Sequence, residues 1–174
     1  MKSGGDLKNE AVCAEEARTM HPVFKDGRIV LDGADVTEAI RTEEVGLAAS
    51  VVAAYPSVRA ELLDLQRRYA QAPGLVADGR DMASVVFPDA PLKVFLTATP
   101  EARAMRRYNQ LIEKGISANL SNLTRDLAER DRRDRERAVA PCVPAADAHV
   151  LDSSDLTIEE TVDQIMAWWR KLPR

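Results

Sequence analysis

The architecture of this chain is indicated most clearly by Leu75-Val76-Ala77-Asp78-Gly79-Arg80-Asp81. The apolar start is short and is closed by Asp78-Gly79, which indicates a buried parallel strand whose carboxyl end opens into a loop. Residues 92–98 and 149–151 show the same pattern, with helical segments between the three runs. Alternating strands and helices predict a parallel sheet with helices on both faces. Because strand ends carry the ligand in such sheets, we expect a site at 78–81.

Start and stop signals predict the remaining elements. Short strands around Val23-Phe24 and Arg28–Leu31, separated by Asp26-Gly27 and followed by Asp32-Gly33, predict a small β-hairpin unit. The run Thr157-Ile158-Glu159-Glu160 is a capping box, which predicts the start of the last helix. Helices are predicted over 6–18, 42–54, 56–71, 100–115, 121–140 and 157–169. The three predicted core strands are fewer than the roughly five or six of most doubly wound sheets.

Composition bounds the class of protein. The chain has 174 residues, 45% of them apolar, which suits one globular domain with a mobile subdomain. The net charge of −4 gives no global attraction to nucleic acid or to acidic membranes. Cys13 and Cys142 have no paired metal-ligand spacing with the two histidines, and no stretch resembles a signal peptide or a membrane span. These features predict a cytoplasmic protein with reduced thiols and no metal site.

An arginine-rich run, 129–137, follows later in the chain. Arg130, Asp134 and Arg137 are spaced at i, i+4 and i+7, so they share one face of a helix, and Arg133 flanks that face. On another side of the helix, Asp131 and Arg135 form a second i, i+4 pair. A solvated helix laced with salt bridges would show the same charge pattern. A nucleic-acid-binding helix is disfavoured, because the interleaved acids nearly cancel the positive charge.

Further arginines favour a phosphate ligand over the solvated helix. Arg80 lies in the predicted site loop, and Arg106-Arg107 lie on the helix before Gly115. Phosphoryl transfer depends on positioning and on neutralising phosphate charge, and the arginine fork binds phosphate through two parallel hydrogen bonds. The two arginine-bearing helices, joined by small residues at 115–118, resemble a lid. The usual triphosphate cradle, Gly-x-x-x-x-Gly-Lys-Ser/Thr, does not occur in these 174 residues.

Several runs together resemble one family. They are Asp78-Gly79-Arg80-Asp81-Met82-Ala83-Ser84-Val85-Val86-Phe87-Pro88-Asp89-Ala90, Ile40-Arg41-Thr42-Glu43-Glu44-Val45, Ala138-Val139-Ala140-Pro141, Val143-Pro144-Ala145-Ala146-Asp147-Ala148 and Leu151-Asp152-Ser153. The chain resembles the bacterial cytidylate kinases, the (d)CMP kinases of the nucleoside monophosphate kinase family. The resemblance implies an α/β, P-loop kinase-like parallel sheet with flanking helices over a single domain, 1–174. It also implies a small β-rich CMP-binding insertion at 20–72 and a helical lid with the arginine-rich helix at 104–137.

The resemblance also implies the roles of site residues. Cytosine would be recognised by Ser50, Arg59 and Asp81, with Arg137 close to it. The α-phosphate of CMP would be held by Arg80 and Arg130, and the ribose by Asp134. Arg106, on the lid, would reach the donor phosphates, so Arg106 and Arg130 are the predicted catalytic residues. The implied partners are CMP or dCMP and ATP with Mg²⁺, bound by a monomer with no nucleic-acid or membrane partner.

Two departures from the family pattern limit these expectations. Ala83-Ser84 replaces the usual Gly-Thr after Arg-Asp-Met, with a modest expected effect. The chain also starts after the position of the family's first strand and P-loop, a unit of roughly 30 or more residues. We therefore expect an N-terminally incomplete kinase in which the strand and P-loop are missing and turnover is lacking. The alternative is a catalytically silent CMP-binding remnant with a regulatory or structural role.

Overall fold

The computed structural model describes residues 6–173, apart from the side chain at position 43. The chain divides into two compact units, and the boundary falls between Val76 and Ala77. The first unit contains helices α1 to α3 and strands β1 to β3, and the second contains helices α4 to α6 and strands β4 and β5. None of the helices within 6–173 combines the length and the apolar composition needed to cross a membrane.

The N-terminal unit contains a three-stranded antiparallel sheet. The strands are β1 (Pro22–Lys25), β2 (Arg28–Leu31) and β3 (Ala34–Asp35), in that order across the sheet. Asp26-Gly27 and Asp32-Gly33 both have positive φ angles, which is the backbone of tight hairpin turns. The predicted hairpin unit is therefore confirmed.

Three helices accompany this sheet. They are α1 (Glu10–Thr19), α2 (Glu43–Val52) and α3 (Pro56–Arg68), and a 3₁₀ turn at Ala39–Arg41 precedes α2. The Thr42 hydroxyl caps α2 by accepting a hydrogen bond from the backbone N–H of Val45. Helices α1 and α3 pack together around a small apolar core formed by Cys13, Ala17 and Val58.

The C-terminal unit is built on a parallel pair of strands. They are β4 (Val94–Thr97) and β5 (His149–Asp152), which pair with Phe95 opposite Val150. The same unit contains α4 (Pro100–Glu113), α5 (Leu120–Glu136) and α6 (Ile158–Arg170). Helices α4 and α5 pack against each other, and Ala104 of α4 is fully buried. This mixed α/β architecture with a small parallel sheet agrees with the predicted class and with a nucleotide kinase fold.

The predicted strand at 75–77 is wrong. The structure gives these residues no regular secondary structure and no pairing with a described strand. Val76 is 99% exposed and Leu75 is 43% exposed, so the segment is not buried either. A run of three apolar residues makes a strand only when a neighbouring backbone supplies hydrogen-bond partners, and composition alone does not reveal that partner.

A short π-helical turn, Met82–Val86, follows the site loop and was not predicted. The backbone N–H of Phe87 donates to the carbonyl of Met82 at 2.7 Å, and the N–H of Val86 donates to the carbonyl of Asp81 at 3.3 Å. Val86 is 2% exposed and anchors the turn in the core of its unit. Such turns recur at functional sites, but no simple residue pattern signals them.

Candidate functional site

An ion pair joins the loop 78–81 to α5 in the C-terminal unit. Nε of Arg80 donates to Oδ2 of Asp134 at 2.9 Å. The Asp134 side chain is 6% exposed, whereas that of Arg80 is 40% exposed. Nε of Arg130, one turn earlier on α5, lies 4.0 Å from the same oxygen. The structure therefore brings together three of the predicted site residues.

The charges in this cluster do not balance. Two guanidinium groups share one buried carboxylate, so the cluster keeps a net positive charge. A guanidinium carries five N–H donors in a planar fork, and one contact to Asp134 leaves several donors of Arg80 available. Partly buried arginines with available donors attract an oxyanion more strongly than solvated ones do. The geometry suits a phosphate group.

Tight backbone packing positions Asp81 beside Arg80. Asp81 is 7% exposed and immediately precedes the π-helical turn. Its carbonyl accepts a hydrogen bond from the N–H of Val85 at 2.9 Å. At Gly79, an added Cβ atom would lie 2.8 Å from Cε and 2.9 Å from Cγ of Met82, so a larger residue would require the Met82 side chain or the loop to shift. The loop thus packs Gly79 closely against the Met82 side chain and leads into a turn that begins beside the buried Asp81.

Arg137 lies at the carboxyl end of α5, just beyond its last helical residue. Its Nε atom donates to the carbonyl of Ala140 at 2.6 Å, and Ala140 itself has a positive φ of 45°. The backbone N–H of Cys142 donates to the carbonyl of Asp134 at 2.8 Å. These bonds fold the segment after α5 back along the helix and fix Arg137 near the end that carries Asp134.

The two faces of α5 have different electrostatics. On the outer side, Arg132 donates to Glu129 at 2.8 and 3.1 Å and to Glu136 at 2.6 Å. The Arg132 guanidinium lowers the pKa of Glu129 below its usual range. The solvated-helix interpretation therefore describes this outer side. Elsewhere on the helix, buried guanidinium nitrogens of three arginines have no hydrogen-bond acceptor among residues 6–173: Arg130 Nε, Arg133 Nε and Arg137 Nη2.

Arg106 lies on α4 against the carboxyl ends of the parallel strands. Its guanidinium donates to the carbonyl of Ser153 and, at 3.4 Å, to the hydroxyl of the same residue. Ser153 is 4% exposed, and its hydroxyl donates to the carbonyl of Thr97 at 3.0 Å. The structure thus places Arg106 at the strand edge where ligands bind in open α/β sheets.

A second arginine of α4 connects the two packed helices. Nη1 of Arg103 lies 2.5 Å from Oδ2 of Asp131 on α5. The i, i+4 spacing along α5 predicts an ion pair between Asp131 and Arg135. In the structure, Nε of Arg135 donates to the backbone carbonyl of Asp131 at 3.3 Å, not to its carboxylate. Sequence reasoning missed Arg103 because the contact joins positions 28 residues apart. The only sequence signal was its position one turn before Arg106.

Ser50 and Arg59 belong to the N-terminal unit. Ser50 lies in α2, and Arg59 lies in α3 with Nη1 donating to the carbonyl of Ala53 at 3.5 Å. Both side chains are half-buried. Their predicted role in recognising cytosine remains a prediction.

Cys142 lies close enough to Asp134 and its arginine neighbours for their charges to affect its thiol. Burial raises the pKa of the Cys142 thiol, and the nearby guanidinium groups of Arg80 and Arg137 partly offset this effect. Among the described residues, no three acidic, histidine or cysteine side chains are grouped closely enough to hold a metal ion. The described site is therefore an arginine–carboxylate cluster.

Comparison with known proteins gives consistent results. A family model described as Cytidylate kinase matches residues 1–171. A protein named Cytidylate kinase from Bordetella bronchiseptica is 57% identical over 170 residues, which are 98% of this chain and 76% of that relative. A protein of the same name from Burkholderia pseudomallei strain K96243 is 58% identical over 153 residues, 88% of this chain and 67% of the relative.

Proposed function

This chain belongs to the cytidylate kinase family, and from that premise we propose that it contributes the acceptor site of a (d)CMP kinase. The reaction transfers the γ-phosphoryl group of ATP to a phosphate oxygen of CMP or dCMP and yields ADP and CDP or dCDP. Members of this family are nucleoside monophosphate kinases, a class of phosphotransferase. The observation that carries the proposal is the buried Asp134 carboxylate shared by Arg80 and Arg130.

Arg80 and Arg130 hold the α-phosphate in this proposal. The attacking group is an anion that must approach another highly charged phosphate chain. Guanidinium groups neutralise that repulsion and fix the direction of attack, and they never lose their proton at neutral pH. Asp134 orients Arg80 through the 2.9 Å hydrogen bond and offers acceptor oxygens to the ribose hydroxyls.

Base recognition is assigned to Ser50, Arg59 and Asp81, with Arg137 close to the base. Cytosine presents an amino donor beside ring-nitrogen and carbonyl acceptors. A protein site that recognises it therefore needs both an acceptor such as a carboxylate and donors such as guanidinium and hydroxyl groups. A uracil ring has a carbonyl in place of the amino group and would face the Asp81 carboxylate with an acceptor. A site that leaves buried polar groups unpaired in this way rejects the wrong base.

Arg106 is assigned to the donor phosphates, as part of a lid over 104–137. The helices α4 and α5 of this lid are joined by a connection that begins at Gly115, whose φ of 72° suits a helix end. Kinases of this class use ATP with Mg²⁺, and the ion would supply positive charge that offsets the charge of the phosphate groups.

The 174 residues contain no Gly-x-x-x-x-Gly-Lys-Ser/Thr motif, the usual cradle for the β- and γ-phosphates. We therefore propose that a polypeptide of these residues alone binds CMP with little or no turnover. Calorimetry with CMP, dCMP and UMP tests the binding, and a coupled assay of CMP-dependent ADP formation tests the turnover. The expected result is binding of CMP or dCMP, weaker binding of UMP and negligible ADP formation.

Variants sharpen this experiment. Arg80→Gln should weaken CMP binding at least tenfold, because it removes a charged phosphate contact. Arg125→Gln is the matched control, since Arg125 lies on α5 but pairs with Asp126 at an exposed position. Failure of the wild-type chain to bind CMP would overturn the acceptor-site proposal, and robust turnover would overturn the proposed inactivity. Binding without turnover also fits a silent regulatory role.

A further inference from the structure

Arg133 lies on α5 near in sequence to two arginines already assigned to the nucleotide site. It lies on α5 three residues after Arg130 and four before Arg137, so the three side chains leave the same side of the helix end. Its Nε atom is buried and has no hydrogen-bond acceptor among residues 6–173, as for Arg130 Nε and Arg137 Nη2. A buried N–H without an acceptor destabilises a protein unless a ligand provides one.

The carboxylate beside Arg133 does not provide that acceptor. Nε of Arg133 lies 3.9 Å from Oε1 of Glu129, which is too long for a hydrogen bond. The Glu129 carboxylate is instead bound on both oxygens by Arg132, at 2.8 and 3.1 Å. Glu129 and Glu136 thus form their short hydrogen bonds with Arg132, whereas Nε of Arg133 has no acceptor within hydrogen-bond distance among residues 6–173.

We propose that Arg133 is a phosphate-binding residue, which donates from Nε to a phosphate oxygen of the bound nucleotide beside Arg130. This inference rests on the proposed function, because it adds a third guanidinium to the phosphate subsite of that acceptor site. The residue type fits: a guanidinium binds an oxyanion through fixed, charge-assisted hydrogen bonds, which a phosphate can accept on several oxygens. A phosphate oxygen at this place satisfies the donor that Glu129 leaves unpaired.

The experiment compares CMP with cytidine, which has the same base and ribose but no phosphate. Calorimetry gives the CMP dissociation constant of the 174-residue chain, and a ligand-observed NMR titration into the millimolar range gives that of cytidine. The variants are Arg133→Gln, Arg133→Lys and Arg132→Gln. Arg132 is the matched control, since it lies one residue away on α5 and its guanidinium is occupied by Glu129 and Glu136. Thermal unfolding followed by circular dichroism checks that each variant is folded.

We expect Arg133→Gln to weaken CMP binding at least tenfold and to leave cytidine binding within about twofold of the wild type. Arg133→Lys keeps the charge but lacks the Nε donor, so its affinity for CMP should lie between that of Arg133→Gln and that of the wild type. Arg132→Gln should leave both ligands unchanged.

Two results would overturn the inference while leaving the proposed function intact: unchanged CMP binding by Arg133→Gln, or equal weakening of CMP and cytidine. If Arg133→Gln does not fold, Arg133→Lys decides, and wild-type affinity for CMP in that variant contradicts the role of Nε. A wild-type chain that binds neither ligand overturns the proposed function itself.

Discussion

The guanidinium of Arg80 and the carboxylate of Asp134 lie 2.9 Å apart, measured from Nε to Oδ2, although 54 residues separate them in the sequence. The Asp134 side chain is 6% exposed, and Nε of Arg130 lies 4.0 Å from the same carboxylate oxygen. The pair holds the site loop against the last turns of α5. It therefore contributes both to the stability of the C-terminal unit and to the position of a phosphate-binding guanidinium.

The first prediction concerns the stability contributed by this pair. Asp134→Asn and Arg80→Gln should each lower the free energy of unfolding by about 1–3 kcal/mol, because each leaves a partly or wholly buried group without its partner. Arg80 is 40% exposed, which keeps the expected loss below that of a fully buried pair. Urea unfolding of both single variants and the double variant should give a coupling energy of about 1 kcal/mol or more.

The control for this cycle is the Arg125–Asp126 pair on the same helix. Its side chains are 72% and 62% exposed, so solvent screens the interaction at 3.2 Å. The coupling energy between Arg125→Gln and Asp126→Asn should be about 0.5 kcal/mol or less. Equal coupling energies in the two cycles would show that the burial of Asp134 does not strengthen its interaction with Arg80.

A second prediction concerns Gly79. The substitution Gly79→Ala places Cβ within 3.0 Å of two side-chain atoms of Met82, at 2.8 and 2.9 Å, so Met82 or the loop must move. We expect a loss of about 1–3 kcal/mol in unfolding free energy and weaker CMP binding, because the loop carries Arg80 and Asp81. In a Met82→Ala background the clash is absent, and Gly79→Ala should then have little effect on either measurement. If Gly79→Ala lowers the unfolding free energy and weakens CMP binding by the same amounts in that background, the contact with Met82 is not the cause.

The elements that sequence predicted well are those specified by local chemistry. Thr157 and Glu160 exchange hydrogen bonds with each other's backbone N–H groups, as the capping-box pattern predicts, and α6 begins immediately after Thr157. Thr99 caps α4, and Pro100 occupies its first turn. The information for these helix starts lies within four residues, so it can be read without knowing the fold.

The elements that sequence predicted poorly depend on distant partners. Residues 75–77 have the composition of a strand, but they pair with no described strand. The Arg103–Asp131 contact joins two helices, and the i, i+4 rule favoured Arg135 instead. The cluster of Arg80, Asp134 and Arg130 was assigned only through the family resemblance, because spacing along α5 says nothing about a loop 54 residues away.

A third prediction concerns the cap of α6. The Thr157 hydroxyl accepts a hydrogen bond from the N–H of Glu160 at 3.1 Å, so Thr157→Ala should cost about 1 kcal/mol of stability in urea unfolding. Thr161→Ala is the matched control: its hydroxyl only donates to the Thr157 carbonyl at 2.7 Å, and its loss should change stability by about 0.5 kcal/mol or less. A larger loss from Thr161→Ala than from Thr157→Ala would contradict the capping role.

The last prediction concerns the Cys142 thiol, whose pKa burial raises in the folded protein. Since the folded pKa exceeds the unfolded one, the stabilising contribution is complete below the unfolded pKa, about 8.5, and is lost as pH rises through the folded pKa. Alkylation by iodoacetamide, followed on the Cys142 peptide by mass spectrometry, should therefore have a higher pH midpoint in the native chain than in urea. Cys142→Ser should reduce the loss of stability between pH 8 and 10. A native midpoint at or below that in urea would mean that Arg80 and Arg137 outweigh burial.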